Sequence, residues 1–367
     1  MNQNFLLAVA MLAGTIMGAG IFSLPYVFGL LGVGLGTLYL VFFAGVYCVV
    51  HLMFAHILRE SSGAHELPYI TGEYLGRAMG RLATATILTE LTLVLTAYLA
   101  LVPSFLSIMF GSSHALGVVA FWAVSSAFIF VSLKWLGFAD LVGVLGIISV
   151  VSTVFYFGSG HPLTVLPPQA FTWTVGLLPF GPLLFAFSGR PAIFKVVEEW
   201  RAARRPFPLF LAVILGTLIP AAIYYAFVMG VLRLNPAPSS DAVTALLGML
   251  PYGAYLLLGV MGLVALWKSY FMIGSDVREI LRRDLRASPL VSALIVLAAP
   301  HALYWLGASH FFTIIGFVGG IFLALEGIYV VAVWRKKFHA HPLRFMTPVL
   351  YLIFSLAIAY EVVHIFS

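Results

Sequence analysis

The fold class predicted for this sequence is an all-α integral membrane protein: two five-helix units of inverted topology, each opened by a broken helix, followed by an eleventh helix. Three observations carry the prediction. Of 367 residues, 62% are apolar and 9% charged, against about 25% charged in soluble domains, and the mean hydropathy is +1.08. The apolar residues form eleven runs, most long enough for a hydrocarbon layer of about 30 Å at roughly 20 residues per crossing. Glycine- and proline-rich interruptions mark the first and sixth runs, about 170 residues apart, as expected of inverted repeats with a midplane site.

In chain order the runs span 5–31, 34–58, 79–110, 115–133, 137–158, 174–200, 206–232, 252–282, 289–306, 310–334 and 345–366. The first is a retained helix, not a secretory signal: Met1 to Asn4 hold no base, and the run exceeds the usual 7–15 residues. The chain reads as one transmembrane domain over 1–367, with repeats at about 5–158 and 174–334 and the extra helix at about 345–366. No room is left for a soluble catalytic domain, so a cytosolic enzyme is excluded. Cys48 is the single cysteine, which excludes an internal disulfide.

The net charge of +6 marks loops and not a nucleic-acid surface. Sixteen of the 19 Lys and Arg residues fall on the N-terminal side: Arg59, Arg77 and Arg81; Lys134; Lys195, Arg201, Arg204 and Arg205; Arg278, Arg282, Arg283 and Arg286; Arg335, Lys336, Lys337 and Arg344. Only Arg233 lies in an opposite loop. The positive-inside rule then puts the N-terminus in the cytoplasm and the C-terminus outside, and the short loops fit a prokaryotic inner membrane.

The first run contains Gly14-Thr15-Ile16-Met17-Gly18-Ala19-Gly20-Ile21-Phe22-Ser23-Leu24-Pro25, and the sixth Phe185-Ala186-Phe187-Ser188-Gly189-Arg190-Pro191. Pro191 lacks an N–H and frees the Phe187 carbonyl. Glycine alone is equally compatible with close packing through Gly14 and Gly18; the pairing of the two interruptions favours a site, because unwound backbone is tolerated at membrane depth only where it lines a cavity. Amides near Gly20 and Ile21, at a half-helix N-terminus, suit a carboxylate. Carbonyls near Met17 and Phe187 suit an ammonium, and Phe185, Ala186 and Phe187 would face the side chain. The ligand these groups describe is an amino acid.

These motifs, with Val197-Glu198-Glu199 and Trp267-Lys268-Ser269-Tyr270-Phe271, resemble the amino acid–polyamine–organocation superfamily and, within it, the amino acid/auxin permease branch. The resemblance implies the leucine-transporter fold and alternating access. It implies that Thr15, Gly18, Ala19, Gly20 and Ile21 meet the substrate's carboxylate and amine, and that Phe185, Ala186 and Ser188 meet its amine and side chain. Arg190 departs from the pattern, which has a smaller or neutral group after Gly189. Sodium-coupled members hold an ion at carbonyls corresponding to Gly14 and Met17 and hydroxyls corresponding to Lys268 and Ser269. The resemblance also implies a helical lid over Asp241 to Leu250.

Ionisable groups inside a span are expensive and mark function by default. Glu90 lies nine residues past Arg81, Lys268 ten before Arg278 and Glu326 nine before Arg335, so at about 1.5 Å per residue all three sit roughly 14–15 Å deep. Arg190 belongs to the same layer, giving two acids and two bases. For Glu90 and Glu326 a static ion-pair network remains the alternative to coupling. A Lys268 ammonium fills a cation's place with a tethered charge, which makes the proton the expected coupling ion, ahead of sodium-independent exchange and of sodium coupling.

The expected function is secondary amino acid transport and not enzymatic catalysis: no nucleophile–base or metal constellation can be assembled, and no cofactor is expected. Neutral amino acids, a proton and the lipid bilayer are the expected partners, in symport. A transporter-like sensor without flux is the rival. His65-Glu66-Leu67-Pro68-Tyr69 lacks the second histidine of a zinc protease motif; His51 and His56 do not share a helix face.

Overall fold

The computed structural model describes residues 3–61, 66–111, 115–130, 136–164, 169–203, 207–283 and 285–366. Met1, His65, Lys134, Arg204 and Arg205 lie outside the described residues. Among the described residues, eight helices are long and apolar enough to cross a membrane, and the shorter apolar helices Gln3–Ile16, Ala115–Phe128 and Pro289–Trp305 accompany them. The protein is a multi-pass membrane protein.

The first helix, α1 (Gln3–Ile16), stops at the glycine-rich motif, and a 3₁₀ turn over Ala19–Ser23 leads into α2 (Leu24–Arg59). The sequence separates the first two spans at residues 31–34. The structure makes that separation with one residue, Gly32, whose φ of 75° is left-handed and available to glycine at little cost. The chain folds back there: a Cβ on Gly36 would stand 2.7 Å from the Phe28 ring, although eight residues separate them.

The polar insertion after α2 holds a helix that sequence reading leaves out. It is α3 (Leu67–Leu75), which packs on α4 (Arg77–Phe110) where Gly72 and Gly80 meet. Next come α5 (Ala115–Phe128) and α6 (Leu136–Ser159). The second unit opens with α7 (Trp173–Leu177), α8 (Phe180–Phe187) and α9 (Arg190–Ala202), and continues as α10 (Leu209–Leu234), α11 (Tyr252–Arg283) and α12 (Pro289–Trp305). The tenth span comprises α13 (Phe311–Phe317), a π-helical segment Val318–Leu323 and α14 (Ala324–Lys337); α15 (Thr347–Phe366) is last.

Broken α1 packs against α9 and α10, and α8 against α2, α13 and the π segment. Backbone makes the closest part of the contact with the tenth span: Gly181 lies against Gly316 and Gly319, and neither Gly181 nor Gly319 has space for a Cβ. The helices of the two breaks are thereby packed among α2, α10, α13 and the π segment.

Candidate functional site

Both interruptions are real breaks in helical backbone. Gly18 is extended, at φ −115° and ψ −156°; Ser188 (φ −61°, ψ 128°) and Gly189 (φ −151°, ψ 14°) separate α8 from α9. Pro191 sits in the first turn of α9, where a missing N–H costs nothing. The two breaks touch. A Cβ on Gly20 would lie 2.6 Å from the Ala186 Cα, and one on Gly189 2.6 Å from Ile16 Cγ1, so glycine at both places is what lets one backbone cross the other.

Tyr224, from α10, completes the junction. Its fully buried hydroxyl stands 2.7 Å from the carbonyl oxygens of both Ile16 and Ala186, one freed at each break. One O–H serves both acceptors in turn, in a region where unpaired carbonyls are costly. Sequence reading missed this residue; its only signal is a tyrosine one turn after Pro220 in an otherwise apolar span.

Beside the junction is a small cavity of about 70 Å³ lined by Thr15, Ile16, Gly18, Ala19, Gly20, Glu90, Leu91, Val94, Tyr98, Phe185, Ser188, Pro191, Ile273 and Leu323. Of the residues read from sequence as substrate-binding, Thr15, Gly18, Ala19, Gly20, Phe185 and Ser188 are in this wall. Ile21, Ala186, Phe187, Gly189 and Arg190 stand outside it: Ala186 backs onto Gly20, Gly189 onto Ile16 and His51, and the Phe187 ring packs against Tyr224 and Tyr47. Tyr98 was not anticipated. It follows Glu90 by eight residues, on the same helix face, and its hydroxyl bonds to Ser269 and would lie 3.9 Å from a Cβ on Gly18.

The four mid-depth charges divide. Arg190 Nε donates to Glu326 Oε2 at 2.7 Å, both side chains buried, and the Glu90 carboxyl is in hydrogen-bonding contact with that of Glu326. Lys268 instead extends under Gly143 and points its Nζ at the Gly14 carbonyl, 3.3 Å away. Met17 is buried next to Gly18, and its N–H donates to the Ala13 carbonyl at 2.9 Å. Among the described residues no trio of His, Cys, Asp or Glu gathers as for a metal.

The segment after α10 covers this region from the other end. The expected helical lid over Asp241 to Leu250 is instead a set of turns with one short 3₁₀ helix, Thr244–Leu246. Its Ala242 N–H donates to the Phe22 carbonyl at 2.8 Å, which ties it to the unwound part of the first span. Asp241 Oδ1 accepts from the Thr244 N–H at 2.7 Å and Ser104 of α4 also bonds to its carboxyl; burial nonetheless holds that carboxyl above the usual aspartate range.

Residues 1–232 match the family model described as transmembrane amino acid transporter protein, which is more than half of the chain. The protein belongs to that family. No curated protein sequence matches this family member. Its structure is similar to the crystal structure of MhsT in complex with L-phenylalanine, with a TM-score of 0.66 and 14% identity over 98% of each chain. At that identity the likeness concerns architecture, and this transporter-family chain has the leucine-transporter fold.

Proposed function

We propose that the protein is a secondary transporter for neutral amino acids, working by alternating access and coupled to protons in symport. The observation that carries the reading is the junction of two unwound helices beside a small cavity, where backbone polar groups are available in a largely apolar wall. An α-amino acid presents a carboxylate and an ammonium on one carbon, the two groups that helix N-terminal amides and freed carbonyls bind. Phe185, Leu91, Val94 and Ile273 leave a neutral side chain as the fit. The likeness to a protein crystallised with L-phenylalanine supports the same substrate class.

Lys268 supports the choice of coupling ion. Its ammonium beside the Gly14 carbonyl supplies a fixed positive charge at the first break, so a sodium ion there would meet like-charge repulsion. The side of the membrane follows from the basic loops, with the N-terminus in the cytoplasm and the C-terminus outside, in an inner membrane.

Purified protein in liposomes tests the reading. Labelled neutral amino acids are expected to accumulate under an inward proton gradient, with equal rates when choline replaces sodium. Sodium-dependent uptake would overturn the ion assignment, and absence of counterflow for all twenty amino acids would overturn transport itself.

A further inference from the structure

Glu90, Glu326 and Arg190 come from α4, α14 and α9 and are 4%, 7% and 7% exposed. Their contacts do not balance if every group is ionised. Two carboxylates would face one guanidinium, leaving the triad itself net negative, with the Lys268 ammonium directed instead at the Gly14 carbonyl, an arrangement proteins avoid. The two carboxyl groups are also in hydrogen-bonding contact, yet ionised carboxylates have no hydrogen to donate. Glu90 Oε2 is buried and finds no donor among the described residues. One proton resolves both difficulties: it turns the carboxyl–carboxyl contact into a hydrogen bond and makes the triad neutral.

The position of the triad gives that proton a use. Glu90 is in the wall of the central cavity. Arg190 is in the wall of a second, polar cavity of about 260 Å³, with Glu66, Lys195, Glu198, Asp276, Glu279 and Arg283 around it. Leu91 and Pro191 belong to both walls, so the triad stands in the partition between them. The other titratable groups acting on it are Tyr47 from α2, Glu66 before α3 and Asp276 from α11.

We propose that the coupling proton rides on the Glu90–Glu326 pair, shared between two carboxyl groups held by Arg190, with Lys268 serving as a fixed charge and not as the carrier. This rests on the transport reading above. When the partition opens, the proton leaves the carboxyl oxygen for water in the polar cavity, and the O–H bond electrons stay on the carboxylate, which is left negative beside Arg190. Substrate binding to the central cavity is thereby linked to the protonation of Glu90 in its wall.

The test uses the full chain reconstituted in liposomes with a trapped pH indicator. For one proton per amino acid, one pH unit drives about tenfold accumulation. In Glu90→Gln the amide N–H replaces the shared proton permanently. Gradient-driven accumulation is expected to fall to the equilibrium level, the lumen no longer acidifies with uptake, and substrate binding loses its pH dependence; Glu326→Gln is expected to flatten the same profile, and Lys268→Gln to keep it. Accumulation above equilibrium in Glu90→Gln, or an unchanged pH profile in both glutamine variants, would overturn the assignment. In the native protein, transport without acidification of the lumen overturns it whatever the variants do, whereas absence of counterflow in the native protein strikes the transport reading.

Discussion

Removing one oxygen from Tyr224 tests whether the two breaks act as a unit. In Tyr224→Phe the ring stays in place against Phe187, at a centroid distance of 5.6 Å, while the 2.7 Å contacts to the Ile16 and Ala186 carbonyls vanish. Volume hardly changes, so cavity formation adds little. An ordinary hydrogen bond contributes about 0.5–1.5 kcal/mol net, and stranding a buried acceptor costs about 1–3 kcal/mol. The Ile16 carbonyl also accepts from the Gly18 N–H at 2.7 Å, so the loss expected is that of one bond with the Ala186 carbonyl stranded, about 1–3 kcal/mol in favour of conformations where the breaks separate. That corresponds to a shift of roughly 5- to 150-fold in the equilibrium between states. Substrate affinity by scintillation proximity, with thermal unfolding in detergent, measures it. Affinity within twofold of the native protein and an unchanged Tm would refute the view that the hydroxyl holds the junction together.

Further outcomes follow from the same geometry. Gly20→Ala places a Cβ 2.6 Å from Ala186 Cα; backbone must give way, and overpacking of about 1–3 kcal/mol is expected as a lowered Tm with weakened binding. Glu326→Ala removes the carboxylate that accepts from Arg190 Nε and leaves Glu90 as the remaining acid beside the guanidinium; breaking a buried pair costs up to about 3–5 kcal/mol, measurable as a loss of folded protein on size exclusion, and Arg190→Met with Glu326→Leu is expected to recover folding better than either single truncation. In the loop after α10, burial raises the Asp241 carboxyl above its unfolded value, so the docked loop binds a proton more strongly than the undocked one. Its stability is therefore greatest at low pH and declines as pH rises through the shifted value. Asp241→Asn keeps an acceptor for Thr244 and is expected to slow hydrogen exchange of the loop at neutral pH; faster exchange would contradict the sign.

What sequence reading could and could not reach divides along physical lines. Glycine and proline act on backbone, so the interruptions at Gly18–Gly20 and Ser188–Pro191 were visible without any partner. Helical rise converts residue count into distance, and the contact of Glu90 with Glu326 agrees with the common level expected for those two. Which charges meet was not accessible. Arg190 and Glu326 are 136 residues apart, and nothing local distinguishes that pairing from one with Lys268. Tyr98 and Tyr224 are two among 16 tyrosines, and their roles depend on tertiary placement. The helical form expected of the lid failed for a related reason: Pro236, Pro238 and Gly248 punctuate the segment too closely for more than a short turn, and Gly248 takes a φ of 80°.

The seam between α8 and the π-helical stretch of the tenth span has a mechanical corollary. Where Gly181 meets Gly316 and Gly319, the two backbones nest so closely that a Cβ on Gly181 would run into the Gly316 carbonyl oxygen and one on Gly319 into that of Gly181. The seam therefore acts as a notch: sliding by one residue would bring a side chain to a place where only glycine fits. The half-helix ending at Phe187 is thus keyed to its neighbour in one register, and the two are expected to travel as a pair.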